Sequence, residues 1–408
     1  MKNALLCAAV MFLSCGLALG QTTEKLLYSF GAPPDAEYGG GSPLVSDTAG
    51  NLYGVATGGG SQNGGAVFEL SPNGDGNWSE TLIYSFCLFS QNCPDGSSPV
   101  GLTIDGAGNL FGATAYGGNG GGGAYGEGVV FELSPSSVPG GAWTYSVIYN
   151  FCSLSDCLDG SGPYAPPTVD ESGNLYGTTF EGGQIGSGIV YELSPNASGW
   201  IETVLYPFCS PSDCGANPAT GVAFDKMGNL YGTTTYGGTK GGRLGGGGTL
   251  FELSPGSNGW TERTLASFPR VRESRSLFGQ PSLDPLGDVY TTFSVPDEFE
   301  GAVVVVKRDG ATKVFEFNGS DGSTPLTGVI VDPKRSLVYG TVEYSPDRCG
   351  GVFQINASGQ ESLLYDFCQY SGDAAGPGGL LEDASGNLYG LTQGGGAYGY
   401  GAVFEITP

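Results

Sequence analysis

The chain has 408 residues, with 40 acidic against 15 basic side chains, a net charge of −25, and no histidine. The missing imidazole excludes Ser-His-Asp, Cys-His and His-ligated zinc chemistry, and the acidity argues against nucleic acid or anionic lipid as partner. The 75 glycines fall in blocks between aromatic-rich apolar stretches without a three-residue period, which marks turn glycine in an all-β protein rather than collagen or disorder.

Residues 1–20 read as a secretory signal: Lys2 supplies the charged start, Ala4 to Leu13 the apolar run, and Ala18 and Gly20 the small residues before a cut. The mature chain then begins at Gln21 and is secreted, to the periplasm or outside the cell. Lipoprotein cleavage before Cys15 is the weaker reading, because Phe12 and Leu13 fit that pattern poorly. No later apolar run has the length of a membrane span.

From there the chain repeats itself. Gly50-Asn51-Leu52-Tyr53-Gly54 returns from Gly108, Gly173, Gly228 and Gly386, with altered copies at Gly287 to Thr291 and Ser336 to Gly340. A second marker follows each: Val67 to Leu70, Val130 to Leu133, Val190 to Leu193, Leu250 to Leu253, Val303 to Val306, Val352 to Ile355 and Val403 to Ile406. A third precedes each, ending at Phe30, Phe86, Phe151, Phe208, Phe268, Phe317 and Phe367. Seven copies of three markers identify tandem units.

Each unit reads as four short strands, in the first one Pro43 to Ser46, Leu52 to Ala56, Ala66 to Leu70 and Thr81 to Phe86. The first two are joined by Asp47-Thr48-Ala49-Gly50-Asn51, in which Asp bonds its own backbone and Gly supplies a positive φ. Calcium on these aspartates is a minor alternative, since one carboxylate per turn is not a shell of six or more oxygens.

Four-stranded units of this length cannot bury their apolar faces alone and must stack, so the expected fold is a seven-bladed β-propeller of antiparallel blades forming one domain over 21–408. The blades span about 43–86, 99–151, 165–208, 217–268, 281–317, 325–367 and 376–407. The last unit stops at its third strand while the chain opens with a lone third-marker strand, residues 24–30. That strand is expected to complete blade 7 and close the ring.

In such blades the inter-blade loops and the loops between second and third strands share one face. Cys87, Cys152 and Cys209 open inter-blade loops and have partners nearby at Cys93, Cys157 and Cys214. Cys368 has none in its loop, but Cys349 lies on the same face of the same blade, which pairs all eight as structural disulfides. The same face carries the glycine-rich loops with Tyr116, Tyr125, Tyr236, Tyr398 and Tyr400, residues suited to stacking on sugars or gripping a protein, or merely to pinning the loops. Asp95, Asp159 and Asp321 precede the inner strands, near the central funnel, as ligand-facing groups or as turn residues.

With the D-x-x-G-N-L-Y-G turn, the Y-G-G-x-x-x-G-G loop and the V-F-E-L-S-P ending, the chain resembles the GloVer tandem-repeat proteins, secreted bacterial proteins of the choice-of-anchor kind. The likeness covers 24–408 and is specific in five units; Val303 to Lys307 departs from it, and no sorting tail follows Pro408. The resemblance transfers no catalytic residue. The expected function is therefore non-catalytic binding of a glycan or extracellular protein by a monomer without a cofactor. The alternative is a carboxylate glycosidase or metal-assisted lactonase in the funnel, with units five and six, at Arg270 to Arg275 and Asp297 to Glu300, as the places where the repeat breaks.

Overall fold

The computed structural model describes residues 22–87, 93–120, 127–138, 140–209, 214–238, 246–269, 277–295, 300–319 and 322–408. Seven antiparallel blades form a propeller, each built from consecutive strands in up-and-down order. Blade 1 comprises Val45–Ser46, Leu52–Gly59, Ala66–Pro72 and Trp78–Ser85 from inside to outside. Blade 7 comprises Ala374–Glu382, Leu388–Gly395 and Ala402–Thr407, and its outer strand is Thr23–Ser29, paired antiparallel from Thr23↔Thr407 to Ser29↔Ala402. The N-terminal strand thus closes the ring.

The strands run further than sequence pattern alone suggests. The hairpin between the third and fourth strands of blade 1 continues to Pro72↔Trp78, because Ser71, Pro72, Trp78 and Ser79 extend the ladder beyond the apolar alternation. A segment before the inner strand also pairs with the second strand. It is the separate strand Ala36–Gly39 in blade 1, and part of one long bulged strand in Ser97–Ile104 and Ala374–Glu382.

Two local devices explain the repeated residues. In the first hairpin, Asp47 Oδ1 accepts the Ala49 and Asn51 amides, both at 2.9 Å, while Oδ2 accepts Asn51 Nδ2 and the Tyr53 hydroxyl. The same network recurs at Asp170, Asp225 and Asp383, so the motif builds a self-satisfied turn. In the second strand, a Cβ on Gly54 would lie 2.6 Å from the Phe68 ring of the neighbouring strand. The glycine exists because a fully buried aromatic lies across it. Gly112 with Phe131, Gly177 with Tyr191, Gly232 with Phe251, Gly340 with Phe353 and Gly390 with Phe404 repeat this. In blade 5 both members change together, to Thr291 and Val304.

The apolar core is divided into seven clusters at the seams between consecutive blades, as where Val67 and Phe86 of blade 1 meet Leu102, Leu110 and Phe131 of blade 2. Each fully buried phenylalanine contributes about 1.5–3 kcal/mol. No helix among the described residues is long and apolar enough to cross a membrane.

Candidate functional site

The inner strands of all seven blades line a central cavity of about 570 Å³. Glycine, proline, serine and threonine predominate in its wall, together with Gln280, Gln393 and Tyr164. Among the described residues the wall holds no carboxylate, lysine or arginine. Hydroxyl bonds lace neighbouring blades around it: Ser42 of the wall donates to the Val100 carbonyl, and outside the lining Thr168 donates to Val222 at 2.6 Å, Thr178 to Thr220 at 2.7 Å, Thr292 to Thr327 at 2.8 Å and Thr341 to Gly378 at 3.0 Å. Each bond reaches from one blade to the inner strand of the next, so the wall is rigid and offers weakly polar, uncharged surface.

Thr57, Ala115, Tyr164 and Gln393 belong to the same cavity. Thr57, Ala115 and Gln393 lie toward the ends of second strands, which places a mouth on the face that carries the disulfides Cys87–Cys93, Cys152–Cys157, Cys209–Cys214 and Cys349–Cys368. The sequence-predicted tyrosines distribute around this face in three places. Tyr116 ends the second strand of blade 2 and Tyr236 begins the short strand Tyr236–Gly237 just beyond that of blade 4, where the Thr114 and Thr234 hydroxyls bond their carbonyls. Tyr398, 68% exposed, and Tyr400 lie in the loop of blade 7 beside Tyr38, whose ring meets that of Tyr400 edge-on at 6.1 Å. Tyr125 and Asp321 lie outside the described residues, as do residues 1–20, Arg270 to Arg275 and Asp297 to Phe299.

Pattern reading missed Tyr38 and Tyr164, both exposed on this face, because neither stands among glycines of a second-to-third-strand loop. Tyr164 reaches the cavity wall and packs edge-on against Phe180 at 5.5 Å; its signal was an aromatic directly after the proline that precedes the inner strand, where the matching prolines of blades 2, 4, 6 and 7 are followed by Val100, Ala219, Leu326 and Gly378.

Asp95 and Asp159 do not line the cavity. Asp95 accepts the Tyr84 hydroxyl at 2.7 Å, and its carbonyl accepts that of Tyr145. Asp159 is fully buried and accepts the hydroxyls of Tyr149 at 2.8 Å and Ser153 at 2.7 Å, with the amides of Ser153 and Leu154. Tyr28 with Asp35 and Tyr365 with Asp373 form the same latch between an outer strand and the following inter-blade loop. A glutamate from the next outer strand closes on three of these latches. Burial, reinforced by Asp35, pushes the Glu80 carboxyl up to about 7, and burial with Asp159 does the same to Glu202. Burial also raises Glu24, whose carboxylate accepts the Tyr370 hydroxyl at 3.0 Å near Asp373. The Trp-x-Glu spacing at Trp78 to Glu80 and Trp200 to Glu202 was the available signal. Their recurrence at three seams identifies a structural element of the repeat.

Groups of three or more Cys, Asp or Glu positioned to share a metal ion are absent among the described residues. The turn aspartates direct both oxygens at their own turns.

The profile of the Gloeobacter/Verrucomicrobia repeat matches residues 120–292, so the chain carries GloVer repeats. No curated protein matches it. Among solved structures it is similar to puromycin hydrolase, at 13% identity and TM-score 0.54, over 88% of this chain and 50% of that one. The chain thus spans half the length of that enzyme. It is also similar to the polysaccharide lyase Uly1, at 11% identity and TM-score 0.54, over 96% of this chain and 94% of that one. A third is an ulvan lyase from a new family of polysaccharide lyase, at 11% identity and TM-score 0.52, over 91% and 94%. At these identities the likeness is one of fold.

Proposed function

We propose, for a propeller that carries the Gloeobacter/Verrucomicrobia repeat, non-catalytic binding of an uncharged glycan or a protein loop at the tyrosine-bearing mouth of the central cavity. The observation that carries this reading is the wall itself: among the described residues it contains no acid or base, and its Ser42 and Thr57 hydroxyls already donate to the Val100 and Tyr38 carbonyls. A wall of that kind supports stacking and shape recognition better than proton transfer. Tyr116, Tyr236 and Tyr398 are the proposed ligand contacts, with Tyr38, Tyr164 and Tyr400 beside them, and Tyr125 by sequence. The protein acts in this reading as a secreted monomer without a cofactor.

The test is a neutral-glycan and cell-surface binding panel run with calcium and again with chelator. Chelator-insensitive binding that weakens on alanine substitution of Tyr116, Tyr236 and Tyr398 is the expected result; binding indifferent to all three overturns this choice of face. The enzymatic alternative rests on Asp95, Asp159 and Asp321. Hydrolysis or lactone opening that disappears with their asparagine variants, in protein that still melts cooperatively, would reverse the ranking.

A further inference from the structure

The opposite face holds a feature at the seam between blades 4 and 5. At four other seams a tryptophan from the start of an outer strand covers the aromatic ring of the preceding blade's second strand. Trp143 packs edge-on against Tyr53 at 5.7 Å and Trp200 against Phe111 at 6.2 Å, while Trp78 and Trp260 pack in the clusters of Tyr389 and Tyr176. Blades 6 and 7 supply no tryptophan there, and neither does blade 5. Its last hairpin turns at Lys307–Ala311 and its outer strand begins with Thr312↔Val306, the register at which blade 1 pairs Glu80 with Leu70. It also lacks the bulge found in the other outer-strand ladders. Tyr231, itself 7% exposed, borders a groove of about 900 Å³, with Gly310, Val306 and Leu265 in its wall. A second groove of about 730 Å³ shares Thr264 and Leu265 and runs along the outer strand past Val304 and Val314.

The groove is framed by apolar groups and by charges of both signs. The third residue of the first turn is Ala49, Ala107, Ser172 and Ser385 in blades 1, 2, 3 and 7. It is Met227 in blade 4 and Leu286 in blade 5, 71% and 72% exposed, and both line the groove. Beside them stand Lys226, Lys307 and Arg308, none with an ion-pair partner among the described residues. Four carboxylates share the lining: Asp225 and Asp284 accept turn amides, Glu252 pairs with Arg263, and Glu171 of blade 3 is the fourth. Thirteen of the fifteen Lys and Arg lie in 226–348 against fourteen of the forty acids, so that stretch carries net −1 and the rest −24.

We propose that this seam is a second binding site, for an extended segment of a protein partner in which a tryptophan or phenylalanine is flanked by aspartate or glutamate. The aromatic side chain takes the place that an internal tryptophan fills at four other seams, Met227 and Leu286 cover it, and the carboxylates meet Lys226, Lys307 and Arg308. The apolar lining favours a peptide over an anionic glycan, whose hydroxyls would find few partners there.

Panning a phage-displayed random-peptide library on the immobilised protein tests this. An acidic protein selects basic peptides by its overall field, so the expected enrichment of aromatic residues flanked by acids runs against that field. A fluorescein-labelled peptide of that consensus should bind about tenfold or more weakly to the K307E/R308E variant and to M227S/L286S. All four positions are exposed, and unchanged melting of both variants checks the fold. Enrichment of basic peptides alone, no enrichment, or equal binding by both variants overturns the proposal. Displacement of the peptide by polygalacturonate with M227S/L286S unaffected assigns the site to an anionic glycan and overturns it too. Binding at the tyrosine face is untouched by either variant, so the two readings fail separately.

Discussion

The hydroxyl of Tyr149 donates to the carboxylate of Asp159 across 2.8 Å, tying the outer strand of blade 2 to the loop that enters blade 3. Asp159 is fully buried and accepts three further bonds from Ser153 and Leu154. Y149F removes one of four bonds and should cost about 1 kcal/mol, whereas D159A removes the buried acceptor of all four and should cost about 3 kcal/mol. Urea unfolding of the two variants measures the difference; equal, small losses would show that the latch carries no weight.

The glycine beneath each core aromatic makes a sharper case. G54T should clash with Phe68, and F68V should leave a cavity, each costing about 2–4 kcal/mol. Blade 5 carries the combination naturally as Thr291 and Val304. The G54T/F68V double variant should therefore be more stable than the sum of the single losses by about 1 kcal/mol or more. A strictly additive double-mutant cycle would refute the exchange.

Stability should fall as pH rises through neutrality. Glu80 and Glu202 are pushed from 4.5 to about 7 in the fold, chiefly by burial, with Asp35 and Asp159 adding to it. Folding then binds protons between those values, so the stability these groups supply is complete below about 4.5 and lost as pH passes about 7. Melting should occur higher at about pH 5 than at about pH 8. The E80Q/E202Q variant should flatten that slope, which separates these two groups from repulsion among the other acids; an unchanged slope excludes them as its source.

Loop closure ranks the disulfides. Cys349–Cys368 spans 19 residues and joins a second-to-third-strand loop to the strand exit, whereas Cys87–Cys93 spans 6. Replacing both members with serine should cost about 3 kcal/mol in the first case and about 2 kcal/mol in the second. Denaturant titration of each pair checks the order.

Much of the architecture was legible in the chain because it is local and repeated. Seven occurrences of the same three markers, some of them altered, specify seven blades, the unmatched first and last strands specify closure, and up-and-down topology brings Cys349 to Cys368. The partners of single side chains are another matter, since seam contacts join residues one whole unit apart and no pattern within a unit records them. Asp95 and Asp159 look alike as turn residues or funnel residues until Tyr84 and Tyr149 are seen to reach them. Tyr116, Tyr236 and Tyr398 share a sequence context yet stand on different blades. Only the assembled ring shows that its inner wall is uncharged and that a groove opens beside Tyr231 at the seam of blades 4 and 5, because both depend on which blade faces which.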